Sequence, residues 1–170
     1  MRPVPAPRPA SMDYLWTPWR YQYISNIKNV VRCVFCIDSS PEHDEENFVL
    51  FRGKLNFVIL NIFPYTTGHL LVAPYEHTSN FQNSSPEQSG EMLELAKRGQ
   101  LAIEETYQPD GFNLGMNLGR CAGAGVEHHL HLHIVPRWVG DSNFMTIIGE
   151  SRVMPEALET TYQKLRRFLA

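Results

Sequence analysis

The sequence lacks any long hydrophobic run and has few cysteines. Its 170 residues contain no apolar stretch near the ~18–20 residues that a membrane helix needs. The proline-rich start, residues 1–11, has no apolar segment of the kind found in signal peptides. Three cysteines are an odd number, which fits poorly with a secreted disulfide framework. These absences predict a cytoplasmic protein with no membrane partner.

Positive charge is also scarce. Lysine and arginine number 15 against 18 acidic residues, so the formal net charge is -3. A protein that binds nucleic acid without specificity presents a basic face, so we expect no nucleic-acid partner. Hydrophobic residues make up 43% and charged residues 19% of the chain, which is typical of a globular protein. The length predicts one domain, residues 12–170 with a C-terminal extension, after a flexible tail at 1–11.

The pattern of apolar residues predicts an α+β fold with about five antiparallel strands and two helices. Segments rich in β-branched and aromatic residues predict strands at 47–51, 56–61, 69–73, 112–117 and 129–135, the last closed by Pro136. Ser85, Pro86 and Gln88 are typical of a helix start, and we expect that helix to end near Tyr107. A second helix is predicted from about Pro155.

An aromatic cluster at residues 16–20, with the sequence Trp-Thr-Pro-Trp-Arg, precedes the predicted strands. It either packs on the domain or forms a contact between subunits.

Three histidines alternate with apolar residues in the last predicted strand. Because side chains alternate across a strand, His129, His131 and His133 are expected on one face and the apolar residues on the other, against a helix. The row could bind a metal, although three collinear side chains converge poorly on one ion. It could be a merely polar face. It could also supply a neutral imidazole that attacks phosphorus, with the glycine-rich loop at 119–125 bringing backbone N–H groups to the phosphate.

Cys33 and Cys36 have the spacing C-x-x-C, which in a cytosolic protein favours metal or redox chemistry. The redox form of this motif opens a helix in a βαβ unit, and no such unit is predicted here. Metal ligation and a pair of reduced, buried thiols remain the two alternatives.

Three stretches of the sequence together resemble the signature of the histidine-triad (HIT) superfamily. They are the glycine loop with its histidine strand at 123–135, the segment 61–74 with its Gly-His-Leu-Leu-Val-Ala-Pro run, and the Asn-Leu-Gly at 117–119. The resemblance covers roughly residues 33–138. Residues 15–20 and 135–138 are similar to the bacterial branch that includes diadenosine tetraphosphate phosphorylases and hydrolases.

The resemblance implies a role for each matching residue. His131 would be the nucleophile, the main-chain carbonyl of His129 would accept its second proton, and His133 would contact the phosphate. Asn117 would donate to a phosphate oxygen, and His69 would orient the triad. The implied nucleotide-binding set is Asn61 at the ribose, His69, Asn117, Gly123 and Gly125.

The resemblance also implies a structural zinc ion held by Cys33, Cys36, His77 and His129, and no organic cofactor. It implies a homodimer whose sheets join edge to edge, and a nucleotide substrate of the adenine type. The expected activity is nucleotidyl transfer through a nucleotidyl-histidine, as a hydrolase or a phosphorylase. The alternatives are a nucleotide-binding adaptor with little catalysis and a zinc-dependent hydrolase.

Two features depart from the family pattern. Many members carry a hydroxyl residue in the glycine loop, whereas this chain has Gly123-Ala124-Gly125 and one extra residue before His129. A bound water or His128 could take over protonation of the leaving group. The phosphorylase-like members often have glutamine at the position of Leu132, so this chain lacks one polar indicator of that activity.

Overall fold

The computed structural model describes residues 33–38, 40–141 and 156–169. The tail predicted at 1–11 and the aromatic cluster at 16–20 lie outside the described residues, as does much of the C-terminal extension. Among the helices that are described, none combines the length and the apolar character needed to cross a membrane.

The described residues form one antiparallel sheet and two helices, as predicted. The sheet runs in the order β1-β2-β3-β5-β4, so β5 lies between β3 and β4 and the edges are β1 and β4. The strands are β1 Val49–Arg52, β2 Asn56–Leu60, β3 Leu70–Pro74, β4 Gly111–Met116 and β5 Leu132–Arg137. The helices are α1 Pro86–Tyr107 and α2 Leu158–Leu169.

Helix α1 begins and ends where its sequence signals stand. The Ser85 hydroxyl accepts a hydrogen bond from the Gln88 backbone N–H at 3.1 Å, and Pro86 occupies the first turn. The helix closes at Gln108, whose left-handed conformation (φ 47°) stops the helical path. The predicted bounds of this helix are confirmed. The second helix starts at Leu158, three residues after the predicted Pro155.

Both helices cover one face of the sheet, and this face forms the main core. Gly99 of α1 allows the close approach, because a Cβ atom there would lie 3.0 Å from Ile134 Cδ1 and 3.3 Å from Leu70 Cδ1. The apolar residues that alternate with the histidines belong to this core, so the predicted two-sided pattern is confirmed. The buried members from the histidine segment are Leu130, Leu132 and Ile134.

The last strand differs from its prediction at both ends. It begins at Leu132 rather than His129, and it continues through Pro136 to Arg137. The backbone N–H of Leu130 donates to Thr78 O at 2.6 Å rather than to a neighbouring strand, so this residue lies outside the ladder. Since β3 pairs with β5 only as far as Ile134, the strand beyond has a neighbour on one side, where a proline is tolerated.

A glutamate of α1 holds the turn between β1 and β2. The Glu91 carboxylate accepts backbone N–H bonds from Lys54, Leu55 and Asn56 at 2.6–2.7 Å, and a side-chain bond from Asn56 Nδ2 at 2.8 Å. Burial alone would raise the pKa of Glu91, but the bonds from Asn56 and the backbone outweigh it and hold that pKa below its usual value. The charged carboxylate therefore fixes the helix against the hairpin.

Candidate active site and adjoining metal-ligand cluster

The His131 side chain is held in one tautomer by the backbone of His129. Its Nδ1 atom lies 2.8 Å from the carbonyl oxygen of His129, and because a carbonyl only accepts, Nδ1 carries the proton and donates it. The Nε2 atom therefore presents its lone pair. The ring keeps 6% of its surface exposed, and this burial lowers the pKa of His131 although the bond to His129 opposes the shift. A neutral imidazole with a free nucleophilic nitrogen results.

A series of hydrogen bonds makes His133 a proton donor at the nitrogen where His131 has a lone pair. Nδ1 of His69 accepts from the Tyr65 backbone N–H at 3.1 Å and lies 3.2 Å from the Asn61 amide nitrogen, Nδ2. Since Nδ1 accepts, Nε2 of His69 carries the proton and donates to Nδ1 of His133 at 2.9 Å. The proton of a neutral His133 then stands on its Nε2. His131 offers a lone pair and His133 offers a donor, with ring centroids 4.9 Å apart.

Asn61 is occupied by contacts within the protein. Its Oδ1 accepts from the Phe63 backbone N–H at 2.9 Å, while its Nδ2 faces His69. These bonds make Asn61 an orienting partner of the His69 ring. Its predicted contact with a ribose stays a prediction.

Two aromatic rings at the site were not predicted from the sequence. Phe35 packs on His131 with centroids 4.8 Å apart and on His129 at 5.3 Å. Tyr65 stacks nearly parallel on His133, with centroids 5.8 Å apart and an interplanar angle of 13°. The only sequence signals were the position of Phe35 inside C-x-x-C and of Tyr65 four residues before His69, neither of which predicts a ring contact.

The glycine-rich loop lies between β4 and the histidines. Asn117, half-buried, follows the last residue of β4. Gly123 adopts φ 84°, a left-handed conformation that side chains disfavour, and a Cβ atom there would meet nothing within 4 Å. Gly125 is exposed two residues later. The backbone has the freedom that a phosphate-binding loop requires, and phosphate binding by Asn117, Gly123 and Gly125 stays a prediction.

The four residues predicted as metal ligands come together. Their ligand atoms all lie within 4.8 Å of one another. His129 Nδ1 is 3.4 Å from Cys33 Sγ and 3.9 Å from Cys36 Sγ, and His77 Nδ1 is 3.2 Å from Cys36 Sγ. Tetrahedral zinc with bonds of about 2.3 Å to sulfur and about 2.0 Å to nitrogen separates such atoms by about 3.5 Å. The donor set and its spacing fit that ion.

His129 is prepared for ligation by its second nitrogen. Its Nε2 donates to the carbonyl oxygen of Pro74 at 2.9 Å, so Nδ1 is unprotonated and faces the thiols. Burial lowers the pKa of His129, against the opposing effect of the Pro74 bond, and so favours the neutral ring that a metal requires. The same residue thus presents an unprotonated ring nitrogen to the thiols through its side chain and the acceptor for His131 through its backbone.

Comparison with known proteins points in the same direction. The family model described as "HIT domain" matches residues 42–139. The chain is 40% identical over 168 residues to a Mycobacterium tuberculosis protein named AP-4-A phosphorylase, covering 94% of this chain and 83% of that one. A Dictyostelium discoideum protein named bis(5'-adenosyl)-triphosphatase is 32% identical over 89 residues, which cover 52% of this chain and 59% of that one.

One solved structure has a similar fold and is described as zinc-bound. The crystal structure of a Zn-bound histidine triad family protein from Mycobacterium smegmatis superposes with a TM-score of 0.62 at 30% identity. The match covers 81% of this chain and 92% of that one.

Proposed function

The chain belongs to the HIT, or histidine-triad, family, and from that membership we propose that it is an enzyme that transfers a nucleotidyl group from a dinucleoside polyphosphate through a covalent intermediate on His131. The observation that carries the proposal is the bond from His131 Nδ1 to His129 O, which leaves the Nε2 lone pair for attack. The relatives named AP-4-A phosphorylase and bis(5'-adenosyl)-triphosphatase support a diadenosine polyphosphate as substrate.

The first step forms a phosphorus–nitrogen bond. Nε2 of His131 attacks the α-phosphorus, and the bond from that phosphorus to the bridging oxygen breaks as the remaining nucleotide leaves. The Nδ1 proton stays on the ring, and the His129 carbonyl stabilises the positive charge that the substituted ring acquires. His133, with its proton on Nε2, donates to a phosphate oxygen whose charge grows in the transition state.

The second step returns the imidazole to its neutral form. A nucleophile attacks the same phosphorus, the phosphorus–nitrogen bond breaks, and the nucleotidyl group leaves. Attack by water gives a nucleoside monophosphate and releases a proton of that water to solvent, and attack by inorganic phosphate gives a nucleoside diphosphate. Products from diadenosine tetraphosphate, separated by chromatography with and without phosphate, distinguish hydrolase from phosphorylase.

Replacing His131 with alanine tests the nucleophile. We expect turnover to fall more than about 100-fold, because the attacking atom is lost, while nucleotide binding changes little. His43→Ala is the matched control, since this histidine is exposed and its ring bonds Glu46 rather than a triad residue. In rapidly quenched reactions, intact-protein mass spectrometry should show a nucleotidyl adduct on the wild type and none on the variant. Residual activity of the variant at a tenth of normal would refute the assignment.

We also propose that the cluster of Cys33, Cys36, His77 and His129 binds one structural zinc ion. The four protein ligand atoms would fill a tetrahedral zinc site, which is typical of structural sites, whereas catalytic sites keep one position open. The ion would fix the Cys33–Cys36 segment to the histidines. This observation argues against the alternative of a zinc-dependent hydrolase. Metal analysis should give one zinc per chain, and Cys36→Ser should lower that content.

The edge strand β4 supports a homodimer whose sheets pair edge to edge. β4 has a partner strand on one side only among the described residues, and Leu114 on it is 47% exposed. Light scattering on the wild type and on Leu114→Lys would test this, with a monomeric wild type as the contradicting result.

The adaptor alternative makes a separate prediction. The wild-type protein would bind adenine nucleotides yet release no product from diadenosine polyphosphates or nucleoside phosphoramidates. A cytoplasmic location and the absence of a nucleic-acid partner stay predictions.

A further inference from the structure

Phe35 connects the metal-ligand cluster to the nucleophile. It stands between Cys33 and Cys36 in the chain, and its ring lies 4.8 Å from the His131 ring at an interplanar angle of 31°. Only 4% of its surface is exposed. Cys33 and Cys36 close a turn through the bond from Cys36 N to Cys33 O at 3.1 Å, so Phe35 projects from a loop whose two ends are the thiol residues.

The single hydrogen bond of His131 does not fully fix the orientation of its ring. A single bond at Nδ1 constrains one distance, whereas two side-chain torsions set the ring, and the last of them is broad, so the ring plane can still tilt while the bond is kept. The face of Phe35 packs against the ring and restricts that tilt. The direction of the Nε2 lone pair therefore depends on where Phe35 lies.

We propose that Phe35 is a positioning residue through which the four-residue metal cluster sets the orientation of the His131 ring. The inference rests on the proposed role of His131 as nucleophile. With Cys33 and Cys36 bound to zinc, Phe35 is held over the ring. Release of the metal frees both ends of its loop, and the ring then loses the surface that limits its tilt. The cluster thereby affects the reaction without contacting the substrate.

The first test replaces Phe35 with leucine, with Phe57→Leu as the matched control. Phe57 belongs to the same apolar cluster and is fully buried, but its ring packs on Tyr75, with centroids 5.3 Å apart, and not on a triad histidine. A misplacement near 1 Å costs about 100-fold in rate, and a tilt of the His131 ring moves Nε2 by less than that. We therefore expect Phe35→Leu to lower kcat about tenfold with KM little changed. Phe35→Met, which keeps apolar bulk without a flat ring, is the second variant should leucine destabilise the fold.

The second test reads the ring directly. In the zinc-loaded protein, the imidazole protons of His131 should carry a ring-current shift from Phe35 in NMR spectra. Chelation of zinc should move these signals towards their positions in Phe35→Leu, and chelation of that variant should move them little further. Turnover should follow the same pattern, with a large effect of chelation in the wild type and a small one in the variant.

The proposal would be overturned by equal effects of chelation in the wild type and Phe35→Leu, by a raised KM with unchanged kcat, or by a protein that binds no zinc. Identical losses in Phe35→Leu and Phe57→Leu would also overturn it, because general loosening of the core would then suffice. The NMR measurements need no substrate, so a failure of the proposed activity would be seen separately as absent turnover with the ring coupling intact.

Discussion

Replacing His69 with phenylalanine tests the origin of the His133 tautomer. His69 is fully buried, and phenylalanine keeps a flat ring there while removing both nitrogens. Tyr65 N–H and the Asn61 amide then lose their acceptor, and His133 Nδ1 loses its donor. The proton on His133 is no longer confined to Nε2.

The lost hydrogen bonds set the expected size of the effect on stability and of the effect on kcat. A net hydrogen bond contributes about 1 kcal/mol, and a buried donor left without an acceptor costs about 1–3 kcal/mol. We therefore expect the free energy of unfolding to fall by about 2–4 kcal/mol, measured by urea denaturation. A donor lost from a developing oxyanion typically lowers kcat by about 10²–10³-fold. We expect a loss near the lower figure, because the Nε2–H tautomer of His133 remains partly populated.

Nitrogen-15 NMR of the imidazoles supplies the decisive measurement. Wild-type His133 should show the proton on Nε2, and the His69→Phe variant should show a mixture. Asn61→Ala is the control, because the Tyr65 N–H still donates to His69 Nδ1 and keeps the tautomer. A variant that retains the wild-type His133 tautomer, or keeps kcat within twofold, would refute the reasoning.

Two further predictions concern stability. Because the pKa of Glu91 is lowered by folding, its contribution to the free energy of unfolding is complete above the ordinary carboxyl value of 4.5 and is lost as pH falls through the lower folded value. Glu91→Gln should cost about 1–3 kcal/mol at pH 7 and show a weaker loss of stability below pH 4.5, and parallel pH curves for the two proteins would contradict this. Gly99→Val should destabilise the protein by about 1–3 kcal/mol, because its Cβ would already press on Ile134 at 3.0 Å, whereas the same change at Gly90, which faces open space, should cost less. Thermal denaturation of the two glycine variants compares them directly, and equal losses would argue against close packing at Gly99.

The local pattern of residues in the sequence was sufficient to predict much of the fold. Helix α1 was predicted to its ends because the start signal at Ser85 and the stop signal Pro109-Asp110-Gly111 act within one turn of the chain. The separation of histidines from leucines was also predicted, since it follows from the alternation of an extended chain. The bounds of β5 were wrong, because a strand is defined by its neighbours, and β3 and β4 decide where pairing with residues 129–137 begins and ends.

The sequence by itself determined which residue types carry the chemistry: alternating imidazoles, a paired-cysteine motif and a flexible glycine loop. Tertiary structure alone decided which nitrogen of His129 and of His133 bears a proton, whereas the predicted acceptor of His131, the His129 carbonyl, lies only two residues away in the chain. That choice depends on acceptors and donors such as Pro74 O and Tyr65 N–H, which reach the rings from other strands and turns. The tertiary structure also places Phe35 against His131, which stands 96 residues later in the chain. Contacts at such separations arise from the packing of the whole sheet, and no local spacing encodes them.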